Sequence, residues 1–96
     1  MQYQDLIYRI HARQSMFTRS ISDECVEYIL QNGEEIEDYP SAFPFPAKLL
    51  LGRCNGRSIH VVAAENRSKQ QVIVITAYEP TPDKWEPNMK VRRKQS

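Results

Sequence analysis

The 96-residue chain is long enough for one compact domain with a single core and too short for two, and its 41% hydrophobic and 26% charged residues suit a globular fold. A net charge of +1 leaves no global field to steer it toward nucleic acid. No apolar run approaches the roughly 20 residues that cross a bilayer, and the opening MQYQDLIYRIHAR lacks the basic-then-apolar build of a signal peptide, so a cytoplasmic protein without membrane attachment is expected.

Leu6, Ile7, Ile10, Phe17 and Ile21 recur at helical spacing, with Ile10 and Phe17 one heptad apart, which predicts an amphipathic helix over about residues 3–18. On that reading Phe17 anchors the helix to a sheet, and Ile21 continues the contact into the turn. Ser22 is a suitable N-cap, Asp23 and Glu24 put negative charge in a first turn, and Val26, Ile29 and Leu30 follow until Asn32 and Gly33 end a second helix. Cys25 falls in that helix and Cys54 beside a later turn. With no CxxC or Cys/His ligand spacing, both read as free thiols, and neither a disulfide nor a metal site is expected.

A short polar strand is expected over residues 34–39, where Glu34, Glu35, Glu37 and Asp38 form an acidic cluster. YPSAFPFPA follows, and its Pro40, Pro44 and Pro46 suit an extended loop or sheet edge. In LLLGRCNGRSIHVVAA, Asn55 and Gly56 are the preferred pair for a type I′ turn joining antiparallel strands over residues 48–54 and 57–65. The β-branched QVIVITAYE predicts a further antiparallel strand. EPTPDKWEP reads as an extended arm whose Trp85 indole packs on the body. A basic tail, about residues 88–96 with Lys90, Arg92, Arg93 and Lys94, is expected to be flexible.

Two helices followed by strands give one α+β domain over residues 1–96, with the helices on one face of a three- or four-stranded antiparallel sheet. Both faces of the central strand are partly apolar, Ile59, Val61 and Ala63 on one and Val62 and Ala64 with His60 on the other. A partner, a dimer contact or a ligand is therefore expected over the second face.

The turn also sets a register: Cys54 opposite Arg57, Arg53 opposite Ser58, Gly52 opposite Ile59 and Leu51 opposite His60. Arg53, Ser58 and His60 then share a face, with Arg53 diagonal to His60. A histidine near an arginine has the elements of metal-free RNA cleavage: imidazole moves the 2′-hydroxyl or leaving-group proton, and guanidinium stabilises charge on the phosphate. The same pattern equally describes a partly buried histidine hydrogen-bonded to a neighbour. His11 and Arg13 lie about 200° apart on an ideal helix, so they cannot serve one site from it. His11 is placed at the sheet margin and Arg13 toward the acidic cluster, each also readable as a solvated or salt-bridged side chain. Tyr78 donates a phenolic proton, stacks on a base, or is a plain sheet-edge tyrosine. Lys84 clamps phosphate or lies over the Trp85 indole. Arg53 and Arg57, flanking the turn, make a local patch for a phosphate ligand. There is no Walker loop, nucleophile elbow, HExxH or dinucleotide fingerprint, so no cofactor is expected.

HARxxMFxRxIS, a V-x-x-[IV]-L-x-N-G helix end, YP at Tyr39 and Pro40, LLLGR, NGRxxHVV and ITxYEPxPxKWEP together resemble an uncharacterised bacterial family of toxin-sized proteins over nearly the whole chain. Ser20 departs from that pattern, which has glycine after the arginine. The family in turn resembles RelE/ParE and BrnT toxins in its helix-then-sheet order, and its members look like companions of YgiT-type zinc-finger antitoxins. The resemblance implies the toxin of a toxin–antitoxin pair: an endonuclease acting on messenger RNA, free or on the ribosome, and held inactive by an antitoxin. Under it His60 is general acid or base, Arg53 the phosphate stabiliser, Tyr78 a stacking or proton-donating group, and His11 with Arg13 the helix-borne side of the cleft. Arg19 falls in the same family motif, and Arg57 and Lys84 complete the substrate-binding set. The alternative is a non-catalytic module whose second sheet face recognises a protein, and a homodimer is compatible with either.

Overall fold

The elements run β1 (Asp5–Tyr8), α1 (Ile10–Arg19), α2 (Asp23–Asn32), β2 (Glu34–Tyr39), β3 (Ala47–Cys54), β4 (Arg57–Asn66) and β5 (Gln71–Tyr78), in a computed structural model that describes residues 1–94. The α+β expectation holds, but the sheet has five strands, in the order β1-β5-β4-β3-β2, and it is mixed. The additional strand is β1, which lies parallel to β5 with Asp5 opposite Gln71 and Tyr8 opposite Val74. These residues lie within the span over which the sequence predicts the first helix. An apolar run as short as Leu6-Ile7-Tyr8 fits either periodicity, and here the exposed edge of β5 decided it by offering backbone partners.

The shortened α1 turns a different face inward from the one expected. Ala12 and Met16 are buried, whereas Phe17 is 89% exposed and Ile10 78% exposed. Phe17 is therefore not the anchor of this helix; Met16, one residue earlier, takes that role, and Ile21 is buried beyond the helix end. Helix α2 begins as expected, with the Cys25 N–H donating to the Ser22 hydroxyl at 3.1 Å. Gly33 closes it without a left-handed conformation, at φ −70°. Glycine is needed there for space, because a Cβ would meet the Ile29 carbonyl oxygen at 2.6 Å.

The main core lies between the helices and the inner sheet face. Ala12, Met16, Val26, Ile29 and Leu30 pack on Leu50, Ile59, Val61, Val72, Val74 and Ala77. Burial of this apolar area is what holds two short helices, each of 10 residues and too short to be stable in isolation, against the strands. Asn55 and Gly56 adopt the positive φ values of 54° and 77° that a type I′ turn needs, and the pairing of Cys54 with Arg57 through Leu51 with His60 is that read from the sequence.

Cys25 and Cys54 are joined in a disulfide, with their Cα atoms 5.8 Å apart, which corrects the expectation of two free thiols. Cys54 shares the inward parity of Leu50 and Gly52 along β3, and Cys25 sits on the buried stripe of α2 that covers that strand. Twenty-nine positions of sequence separation bring them together only through the packing of helix on sheet.

The outer face is covered by the chain itself. The proline-rich loop brings Tyr39, Ala42 and Phe45 against Ala47, Ala64 and Ile73 in a second, smaller cluster. Beyond β5 the arm folds back on itself, closed by a bridge between Trp85 and Arg92, and Trp85 is buried to 3% exposure. The acidic cluster and the basic segment pair: Lys90 lies 2.9 Å from Glu34, and Arg92 makes two hydrogen bonds to Glu37, of 3.0 and 3.2 Å. Residues 95 and 96 of the expected flexible tail lie outside the described residues. Among the described residues, no helix is long and apolar enough to cross a membrane.

Candidate functional site

A histidine with no solvent exposure stands at the centre of the outer sheet face. His60 is paired across the ladder with Leu51 on one side and Tyr78 on the other. Tyr78 shares that face because β4 and β5 lose register between Val62 and Ala63, where Val62 opposes Thr76 but Ala63 opposes Val74. The extra residue reverses the parity of β5 beyond it, so Val72, Val74 and Ala77 all point inward and Tyr78 points outward. A second shift, between Glu35 and Glu37 on β2, puts Glu37 opposite Leu49 on the same outer side.

Both imidazole nitrogens are engaged. Nε2 lies 2.7 Å from the Met89 carbonyl oxygen and Nδ1 3.2 Å from the Tyr78 hydroxyl. A carbonyl can only accept, so Nε2 carries the proton in the neutral ring; Nδ1 is then the acceptor, and the Tyr78 hydroxyl donates to it. The Trp85 indole closes the site edge-on at a centroid distance of 4.4 Å. Burial holds the His60 pKa below its ordinary value; the Met89 carbonyl and Glu37 pull the other way, and Arg92 adds to the depression. Burial likewise raises the Tyr78 phenol, so it stays protonated through neutral pH.

Beside this pair lies a cleft of about 330 Å³ lined by Arg19, Tyr78, Glu79, Pro80, Thr81, Lys84, Trp85 and Arg92. Arg19 comes from the last turn of α1, Tyr78 and Glu79 from the end of β5, and Lys84, Trp85 and Arg92 from the arm. Arg57 builds the junction: its guanidinium donates to the carbonyls of Arg19 at 2.7 Å and Ser20 at 3.0 Å, and to Glu79 at 3.1 Å. It thereby satisfies the open end of α1 and ties it to the end of β5. Two cleft charges are committed to neighbours, Glu79 to Arg57 and Arg92 to Glu37. Arg19 and Lys84 make no ion pair among the described residues. One acidic and three basic side chains give the cleft a positive balance.

Of the residues singled out from sequence, Arg19, Tyr78 and Lys84 meet in this cleft, His60 stands directly behind Tyr78, and Arg57 supports the wall. Arg53 does lie on the His60 face, but its guanidinium donates to the Gly56 carbonyl at 3.2 Å and caps its own turn. Arg13 pairs with Asp23 at 2.5 Å, not with the acidic cluster of β2, and lies 3.8 Å over the Tyr8 ring. His11 is exposed on α1, in the helical layer across the sheet from His60. Arg92 and Trp85 were not anticipated as site residues. The complementarity of Glu34–Tyr39 with the basic segment was a signal for Arg92, although only bulged strands put the charges on one side. Among the described residues, no cluster of three or more His, Cys, Asp or Glu could hold a metal ion.

A family model described as a domain of unknown function, DUF4258, matches residues 8–79, from the end of β1 through Glu79. That span contains Arg19, His60 and Tyr78 and stops before the arm that brings Lys84, Trp85 and Arg92. No curated protein and no solved structure matches the chain.

Proposed function

We propose, for a chain that belongs to the DUF4258 family of unknown function, that it is the toxin of a toxin–antitoxin pair and cleaves RNA without metal, in the manner of RelE- and BrnT-type toxins. The convergence of Arg19, Lys84 and Arg92 on one cleft with Tyr78 and Trp85 supports this reading. Guanidinium and ammonium groups bind a phosphodiester and stabilise the charge that grows on it during attack, while aromatic faces accept a base. The cleft replaces the Arg53–His11 grouping as the proposed site, because those two side chains do not reach it. A cytoplasmic place of action accompanies the reading, and there the Cys25–Cys54 disulfide would be open to reduction.

The test is incubation of the purified protein with single-stranded RNA in excess chelator, free and with translating ribosomes. Strand scission is expected to leave a 2′,3′-cyclic phosphate, and Arg19→Ala with Lys84→Ala is expected to weaken RNA binding by about tenfold or more and to flatten its salt dependence. A protein that neither binds nor cuts RNA under either condition refutes the reading.

A second reading, a non-catalytic module that binds a protein, is favoured by the exposure of Phe17 and Ile10 on one side of α1. The outer sheet face, where such contact was expected, is occupied by the chain's own loop and arm. An antitoxin or a second copy of the chain would dock on α1 instead, and Phe17→Asp is expected to abolish that complex in sedimentation. Loss of the complex in a protein with no action on RNA decides for this reading.

A further inference from the structure

We propose that Tyr78 and His60 form a proton-transfer pair at the floor of the basic cleft, Tyr78 meeting the ribose 2′-hydroxyl of an RNA and His60 acting through it from behind. The inference rests on the RNA-cleaving reading above and supplies its acid–base chemistry. Tyr78 lines the cleft, whereas His60 has no exposed surface and cannot touch a substrate. The Tyr78 hydroxyl lies 3.2 Å from Nδ1 and links the ring to a residue of the cleft. An imidazole buried under an indole needs two partners where an aliphatic side chain needs none. Here one of those partners is the hydroxyl of Tyr78, a residue that lines a positively charged cleft.

Burial disfavours a cation on this ring, and the neighbouring groups offset that cost in part. The Met89 carbonyl from the arm accepts from Nε2, Glu37 from β2 adds a negative charge nearby, Tyr78 from β5 can turn its oxygen toward Nδ1, and Arg92 from the arm opposes the cation. Tyr39 of β2 is hydrogen-bonded to Glu37. In the step, Tyr78 Oη takes the 2′-hydroxyl proton as its own proton passes to His60 Nδ1. The 2′-oxygen forms a bond to phosphorus, and the bond from phosphorus to the 5′-oxygen breaks. The leaving oxygen takes a proton from solvent, and the imidazolium returns one to solvent through Tyr78. No net proton or electron is consumed. Arg19 and Lys84 hold the phosphate.

The experiment measures binding and metal-free cleavage of one fluorescein-labelled single-stranded RNA, free and on ribosomes, from about pH 5 to 9, for the wild type, Tyr78→Phe, His60→Gln and the double variant. Each single variant is expected to lose on the order of 10²–10⁴-fold in kcat with RNA affinity unchanged, and the double variant no more than either. The acid limb of the wild-type profile is expected below the ordinary histidine pKa of about 6.5 and to vanish in His60→Gln. A His60→Gln protein that cuts at the wild-type rate with the wild-type profile overturns the pair and leaves the RNA reading standing. RNA bound but not cut by the wild type also overturns the pair. RNA neither bound nor cut overturns the RNA reading and the pair with it. If His60→Gln does not fold, as judged by circular dichroism, Tyr78→Phe decides, since it removes one oxygen and keeps the ring; wild-type cleavage in that variant overturns the pair.

Discussion

Ser20 ends α1 at φ 55° and ψ 48°, a left-handed conformation that costs a non-glycine residue about 1 kcal/mol. The helix end is otherwise well satisfied. The Ser20 N–H donates to Phe17 at 3.3 Å, the Ile21 N–H reaches back to Met16 at 2.8 Å, and Arg57 takes the carbonyls of Arg19 and Ser20. Ser20→Gly is therefore expected to stabilise the fold by about 1 kcal/mol, read as a higher urea midpoint at unchanged slope. An unchanged or lower midpoint contradicts the strain. Tyr8 offers a second measurement at this scale. Burial, with Asp23 and Glu27 nearby, pushes its phenol up to about 12, and its buried hydroxyl has no hydrogen-bond partner among the described residues. The unfolded chain ionises that phenol near its ordinary value of 10.0 while the folded chain does not, so stability is expected to fall as pH rises from 10.0 toward 12. Tyr8→Phe is expected to reduce that fall in alkaline unfolding titrations.

Among the described residues, the arm that carries Lys84, Trp85 and Arg92 makes no backbone hydrogen bond to a strand. Side chains hold it: Arg92 on Glu37, with its guanidinium 4.6 Å over the Trp85 ring, and the Met89 carbonyl on His60. Burial opposes the Glu37 charge, but hydrogen bonds from Arg92 and Tyr39 outweigh it and hold the carboxyl below its ordinary range. A carboxyl depressed in the folded state contributes stability above its unfolded pKa and loses it as pH falls through the folded one. The arm is therefore expected to release in acid, below the usual carboxylate range. Trp85 is the one tryptophan, so a red shift of its fluorescence reports the release directly. Arg92→Ala is expected to move that transition up toward the ordinary carboxylate pKa and to weaken docking by about 1 kcal/mol. An indole that keeps its buried spectrum in Arg92→Ala at neutral and acid pH alike rules out this role for the ion pair.

The molecule as a whole is a helical layer stapled to a sheet, and the Cys25–Cys54 disulfide spans the two. Closing a loop of 29 positions restricts the unfolded chain by about 3.6 kcal/mol on a chain-entropy model. Replacing both cysteines by serine, or adding reductant, is expected to lower unfolding stability by about that amount in urea titrations, while a reduced protein of unchanged stability argues that the bridge is not formed. Much of this architecture was legible beforehand where the determinants are local. Asn55 and Gly56 specify their turn and with it the register that places His60 opposite Leu51, because two consecutive positive φ values suit few other pairs. Ser22 caps α2 through a hydroxyl three residues from its partner.

What only the tertiary structure decided is non-local. The segment Asp5–Tyr8 became a strand because β5 had an open edge, and Met16 rather than Phe17 faces the core because α1 starts later than its apolar repeat suggested. Tyr78 reached the face of His60 through one extra residue in β5, a parity change that alternation along the strand does not announce. The second sheet face was filled by the chain's own loop and arm, through charges and prolines whose partners lie far away in sequence. Turn chemistry and caps act over a few residues and can be read directly, whereas which edge is open, which face is free and where a bulge falls are settled only when the whole chain competes for the same core.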